Sequence, residues 1–378
     1  MEIQNEITKD EFDLCKLTSD DLSPNEQKAY IDKHWIIIND GRHALLSAGK
    51  IELYDKATMK TTYFDRMPVE LNKYYFKIKK DIRKLICDPK KPILTSKFLN
   101  LCERQMPTPQ PYKDCSEKAK KGVELINSYV LKILCKGRID IYDHLIKMCA
   151  KMARCEKNDA CIYLKGPQGC GKSTYPEFLR KYVMGSDLSL EAGSDPIKGR
   201  FNKELLAKVM VVFEELENFG PSEWIGISSK LKRWITSDVM TIEEKNVNAI
   251  QVINLITFWL LSNNDAIQDD DGRRYFICPI STEHINDLVY FGYIRNTCFN
   301  KEVGDAYYNF LMEIDLTGFN SQNYPVTEPK LDSIAKRLDP VYKFLKDCFI
   351  LKKKELLKLE YLIYFYSIKP IVQKINLK

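Results

Sequence analysis

The chain has 378 residues, of which 44% are hydrophobic and 29% charged. That length and composition predict roughly two to three globular domains, and the lack of any run of about 18 apolar residues argues against a membrane span. The formal charge is +6, but residues 330–378 alone hold twelve Lys and Arg against five Asp and Glu, so the basic excess belongs to the C-terminal end, where a nucleic-acid contact or a solvated helix face explains it equally well.

The opening MEIQNEITKDEFDL is acidic and polar and lacks the basic and apolar regions of a secretory signal. An intracellular, non-secreted protein is expected. Twelve cysteines are scattered without a CxxC pair, which favours free thiols in a reducing compartment over a disulfide framework. Cys149, Cys155 and Cys161 recur every six residues, a spacing that fits no common zinc site.

From His34 the chain reads as β: WIIIND, IELYD and TTYF, with Asn39, Asp40, Gly41 and Gly49 as turn residues. From Val69 the stretch ELNKYYFKIKKDIRKLI repeats apolar residues at helical steps up to Asp88, Pro89 and Pro92. Its interleaved aromatic and basic residues suit either base stacking or, with better odds, an amphipathic helix with core aromatics. MPTPQPY, Met106 to Tyr112, is the clearest linker, because alternating prolines cannot continue a helix. Two helices are predicted after it, Glu117 to Cys135 and Ile139 to Glu156.

The apolar run Ala160 to Leu164 leads into GPQGCGKST: Gly166, Pro167, Gln168, Gly169, Cys170, Gly171, Lys172, Ser173 and Thr174. This is the P-loop pattern, in which glycines let the backbone bend until several N–H groups face a triphosphate. Lys172 is expected on the β and γ phosphates and Ser173 on Mg²⁺, with the following helix adding its positive N-terminal end. Cys170 reads as a space-filling residue.

Leu205 to Phe213 is an apolar run suited to a strand buried in a parallel sheet, and Glu214 and Glu215 follow it. That is a Walker B arrangement, with Glu214 expected on Mg²⁺ and Glu215 on the attacking water. Pro221 to Thr236 reads as helix, Val239 to Glu243 as extended, and Ala249 to Leu261 as one long β run ending in SNND. Asn263, expected on a strand between the other two, suits a γ-phosphate sensor. Arg273 and Arg274, in a chain with thirteen arginines and forty-five lysines, suit an arginine finger offered to a neighbouring subunit.

In this order the motifs resemble superfamily 3 helicases of the AAA+ type, and more narrowly the helicase portion of viral and phage primase-helicases. GPQGCGKST, VMVVFEE, KRWITSDVMTIEEKNVNAIQVINL, FWLLSNN and GRRYF stand where that family's motifs stand, over roughly Ala160 to Ile280. The resemblance implies an α/β P-loop NTPase (AAA+ like) core with a parallel sheet, preceded by a helical segment and a small mixed α/β N-terminal domain. The expected divisions are 1–105, a linker and helical segment at 106–157, the ATPase at 158–320 and a basic helical segment at 321–378. It also implies that Lys245, with Asn246 beside it, lies on a hairpin gripping single-stranded DNA inside a homo-hexamer, with ATP and Mg²⁺ as cofactors and other replication proteins as possible partners. The expected activity is an ATP-driven DNA helicase of viral or mobile-element replication, in host cytoplasm or nucleus or associated with a virion. The alternatives are a P-loop ATPase of DNA packaging or nucleotide-regulated assembly, and a small-molecule kinase, against which the paired glutamates and the Asn point to water as nucleophile. No primase signature of spaced acids is evident in the first 110 residues, and the segment after EYLIYFYSIKP is short for a winged-helix domain.

Overall fold

The computed structural model describes residues 8–335 except 20, 80, 103–105, 215–220, 246 and 264–272, and within these not the side chains of 221, 222, 224, 225, 247, 248 and 332–335. Contacts divide the chain into Met1–Pro329 and Lys330–Lys378, and the fold below is that of the first unit. The expected helical C-terminal segment lies outside the described residues from 336 onward.

The N-terminal part is a five-stranded mixed sheet. Helix α1, Pro24–His34, begins on a capping box in which Ser23 and Glu26 satisfy each other's amides. It delivers the chain to β1 (Trp35–Ile38), β2 (His43–Ser47) and β3 (Lys50–Tyr54), an antiparallel meander. Gly41 (φ +88) and Gly49 (φ +75) make its turns. The stretch TTYF is not a strand. Asp55 accepts from the amides of Ala57 and Thr58 at 2.9 Å, and this cap starts helix α2, Lys56–Thr62.

The predicted helix from Val69 ends at Ile78, and its second half becomes β4, Ile82–Ile86, parallel to β1. Lys79 marks the change: its ammonium leaves the helix path to bond Asp32 (2.8 Å) and the carbonyl of Trp35 (2.7 Å). β5, Phe98–Asn100, completes the order β3-β2-β1-β4-β5. Strand periodicity sends Trp35 to one apolar cluster, with Leu45, Phe64 and Tyr75, and Ile36 and Ile38 to the other, with Ala44, Leu46 and Leu99. Tyr75 is fully buried and Phe76 packs against the same cluster, so these aromatics are core and do not stack on bases.

Residues 106–111 form neither helix nor strand and are strapped onto a later helix, α8 (Lys301–Glu313): Tyr308 Oη donates to Pro107 O (2.9 Å) and Gln110 N to Asn309 Oδ1 (3.0 Å). Then come α3 (Glu117–Tyr129), prolonged by a wide turn to Leu134, and α4 (Ile139–Ala153). Both are amphipathic and bury their apolar stripes in the largest core cluster.

That core surrounds a second, wholly parallel sheet of β6 (Cys161–Lys165), β7 (Ser189–Ala192), β8 (Met210–Phe213), β11 (Thr257–Ser262) and β12 (Tyr275–Pro279), in the order β12-β6-β11-β8-β7. Residues 210–213, 257–262 and 275–279 are buried throughout, which explains the continuous apolar runs. Two boundaries differ from expectation. The run from Leu205 is a short turn at Lys203–Leu205, with Ala207 at φ +62, before β8 begins. The run from Ala249 is two strands, because Asn254 donates its side chain to the carbonyls of Trp234 (2.7 Å) and Ser237 (2.8 Å) and turns the chain. Before that turn lies a hairpin of β9 (Val239–Glu244) and β10 (Val247–Ile253). The remaining helices used below are α5 (Thr174–Phe178, continuing to Met184), α6 (Pro221–Thr236) and α7 (Leu288–Cys298).

Candidate phosphate-binding site

Parallel strands end at the same edge of a sheet, so β6, β8 and β11 deliver Gly166, Glu214 and Asn263 to one place. β11 stands between β6 and β8, as the position of Asn263 required. The 166–174 loop leaves β6 with Gly166 N donating to Ser262 O (3.2 Å) and enters α5 at Thr174.

The loop is shaped from both sides. Gly169 (φ +77) and Gly171 (φ +87) occupy the left-handed region. A Cβ on Gly169 would fall 2.0 Å from Asn286 Oδ1, and one on Gly171 would fall 2.3 Å from Phe291 Cε1. Their carbonyls are engaged from outside, Gly169 O by Asn286 N (3.0 Å) and Gly171 O by Tyr129 Oη (2.5 Å). Among the described residues, no backbone hydrogen bond is donated by the amides from Gln168 to Ser173. A concavity of such amides is the donor set that an anion needs. Cys170 is buried beneath the loop, which fits a space-filling role.

Lys172 Nζ donates to Asn263 Oδ1 (2.5 Å) and Pro167 O (3.4 Å), so two residues 91 positions apart meet at the cavity. Both partners are neutral acceptors that an anionic phosphate displaces readily, since charge-assisted hydrogen bonds are the stronger kind. Ser173 opens α5 without a side-chain capping bond. A cavity of about 310 Å³ is lined by Gln168, Lys172, Ser173, Glu214, Asn263 and, from α7, Arg295, among others. The hydroxyl of Ser173 and the carboxylate of Glu214 are hard oxygen donors of the kind Mg²⁺ takes. The residues present therefore fit a magnesium–triphosphate group.

Three other expected residues, among those described, do not meet here. Arg273 and Arg274 precede β12, whose Tyr275 pairs with Cys161 at the start of β6, and Arg274 O accepts from Cys161 N (2.7 Å). They sit at the opposite end of the sheet from Gly166, roughly 15 Å away by strand rise. Lys245 is exposed at the turn between β9 and β10. Its strand is clipped by Asn202, which accepts from Glu243 N (2.7 Å) and donates to Thr241 O (3.0 Å). Glu215 and Asn246 lie outside the described residues.

Sequence reasoning missed Tyr129, Asn286, Phe291 and Arg295, which reach the loop from α3 and the start and middle of α7. The one local signal was Asp287, whose carboxylate accepts from Tyr290 N (2.9 Å) as an N-cap. It announces a helix but not what that helix faces.

Comparison with known proteins bears on this site. Residues 164–274 match the model of a "family of unknown function (DUF5906)". A stretch of 123 residues, 32% of this chain and 17% of the relative, is 26% identical to a "DNA Primase-polymerase" of Nitratiruptor phage NrS-1. Two solved structures of the "NrS-1 C terminal region" share the fold: one at TM-score 0.59 and 16% identity, covering 84% of this chain and 76% of that one, and one at TM-score 0.56 and 17% identity, covering 85% and 78%. The chain is thus homologous to a phage primase-polymerase in that protein's C-terminal region, with a mixed α/β fold built on a parallel sheet. These findings overturn the expectation of an ATP-driven helicase, and with it the packaging or assembly ATPase: the curated relative is titled a primase-polymerase, and the matching family is described as one of unknown function. Among the described residues no helix is long and apolar enough to cross a membrane.

Proposed function

We propose that this chain is a nucleotide-binding module of viral DNA replication of the primase-polymerase kind, holding ATP with Mg²⁺ at the 166–174 loop of a P-loop fold. The observation that carries the reading is the convergence of Lys172, Ser173, Glu214 and Asn263 on one cavity at the ends of β6, β8 and β11. Backbone amides of Gly169 to Ser173 and the Lys172 ammonium bind the phosphates. Ser173 and Glu214 hold Mg²⁺, whose chemistry is to neutralise phosphate charge. Asn263 gives up Lys172 and turns its amide to the outer phosphate. DNA is the proposed partner, with Lys245, exposed at the hairpin turn, contacting a single strand together with Asn246, its neighbour in sequence. Arg273 and Arg274, remote from their own chain's cavity, are proposed to face that of a neighbouring copy in a ring.

Titration of the full chain with a fluorescent ATP analogue and Mg²⁺ tests the site. Lys172→Ala is expected to weaken binding at least tenfold, the loss of a charged hydrogen-bond donor. Unchanged affinity in a folded variant would refute it. For DNA, Lys245→Ala is expected to lower the slope of log K against log salt for an oligothymidylate by about 0.7, one phosphate contact on a single strand. An unchanged slope would remove the hairpin from the interface.

A further inference from the structure

Arg295 lies on α7, 122 residues beyond Ser173, yet its side chain lines the same cavity as Lys172, Ser173 and Asn263. Among the described residues, Lys172 and Arg295 are the two cations of that lining. The guanidinium is at present held elsewhere: Nη2 donates to Glu177 Oε2 (2.6 Å), and the group lies 4.8 Å from the ring centre of Phe299. Glu177 sits in the first turn of α5, directly after the loop.

The composition of this ion pair matters. Glu177 also accepts from Lys181 Nζ (2.7 Å), so it keeps a cationic partner when Arg295 leaves. Breaking the Arg295–Glu177 bond therefore orphans no carboxylate, and the usual penalty for opening a partly buried ion pair is largely absent. A phosphate gives the freed guanidinium a planar, two-pronged partner that a carboxylate already shared with a lysine does not. α7 is also fastened to the loop, through Asn286 N on Gly169 O (3.0 Å) and Phe291 against Gly171.

We propose that Arg295 is a second phosphate-binding cation that a bound nucleoside triphosphate takes from Glu177, so that α7 responds to occupancy of the loop. The proposal rests on the nucleotide reading above. Its consequence is that the two ends of one ion pair act in opposite directions on affinity. Removing Arg295 takes a ligand away from the phosphates, whereas neutralising Glu177 removes a competitor for the guanidinium.

The test is titration of the full-length chain with Mg²⁺ and fluorescent ATP, comparing wild type, Arg295→Gln, Arg295→Lys and Glu177→Gln, each checked by circular dichroism. Arg295→Gln is expected to weaken binding about tenfold, Arg295→Lys to recover part of that loss, and Glu177→Gln to bind as tightly as wild type or several-fold more tightly. Equal weakening by Arg295→Gln and Glu177→Gln would show a structural brace and overturn the proposal, as would an Arg295→Gln variant that binds like wild type. A folded wild-type chain that binds no ATP would instead overturn the nucleotide reading itself, and the proposal with it.

Discussion

Gly171→Ala puts the geometry of the loop to a quantitative test. At φ +87 an added methyl costs about 1–2 kcal/mol in backbone strain. The new Cβ would also stand 2.3 Å from Phe291 Cε1, 2.6 Å from Cζ and 3.1 Å from Tyr129 Oη, against a normal carbon–carbon contact of about 3.5–4.0 Å. Relieving that overlap adds about 1–3 kcal/mol, offset by about 0.4–1 kcal/mol from the stiffer unfolded chain. The net expectation is a loss of about 1–4.5 kcal/mol. Urea unfolding followed by tryptophan fluorescence reads it, since Trp259 packs 6.0 Å from Tyr175 on the helix that the loop opens. The double variant with Phe291→Leu separates the two causes. Trimming the ring should return the steric part, leaving a coupling of about 1–3 kcal/mol and the backbone part intact. Strict additivity, with coupling below about 0.5 kcal/mol, would mean that α7 does not press on the loop as described.

Two further outcomes follow from other parts of the fold. Asn254→Ala orphans the buried carbonyl of Trp234 and the half-buried one of Ser237 and should cost about 1–3 kcal/mol, read as a lower melting temperature and faster proteolysis of the β9–β10 hairpin; a loss below about 0.5 kcal/mol would refute this role in the turn. Burial holds His43 and His144 down at about 4, from an ordinary 6.5. Between those values the unfolded chain binds protons that the folded chain refuses, so stability is complete above about pH 6.5 and is lost as pH falls toward 4. The loss is at most about 3 kcal/mol for each histidine. Melting curves from pH 7.5 to 5 should show it, and His144→Asn should flatten the slope; equal slopes would refute the assignment.

The loop, the acid after β8 and the amide after β11 were legible because each is a local pattern: glycines where the backbone must turn, or an apolar strand ending in one polar group. The parallel sheet was legible for the same reason, since strands buried on both faces read as continuous apolar runs. What was not legible depended on competition between periods or on long-range contact. KIKKDIRKLI satisfies a helical repeat and a strand alternation at once, and only Lys79 bonding Asp32 and Trp35 selects the strand. TTYF has the β-branched and aromatic content of a strand, but Asp55 two residues before Ala57 caps a helix. The wall formed by Asn286, Phe291 and Arg295 comes from a helix more than 110 residues beyond the loop, and nothing near either segment announces the other. The activity expected from the order of motifs was corrected by comparison, because a fold or a local pattern shared by many proteins does not fix what each of them does.

The hydroxyl of Tyr175, on the helix that the loop opens, meets that of Tyr307 on α8 at 2.8 Å, and Tyr307 in turn donates to Asn127 of α3 (3.1 Å). The segment shared with the matching family, residues 164–274, contains only the first of these three groups. It also begins inside β6 and stops one residue short of β12. What is recognisable in this protein and what folds are therefore different lengths of chain. A fragment trimmed to the recognisable part would carry the glycines and the lysine, but would expose a tyrosine hydroxyl and an unpaired strand edge that the intact chain covers.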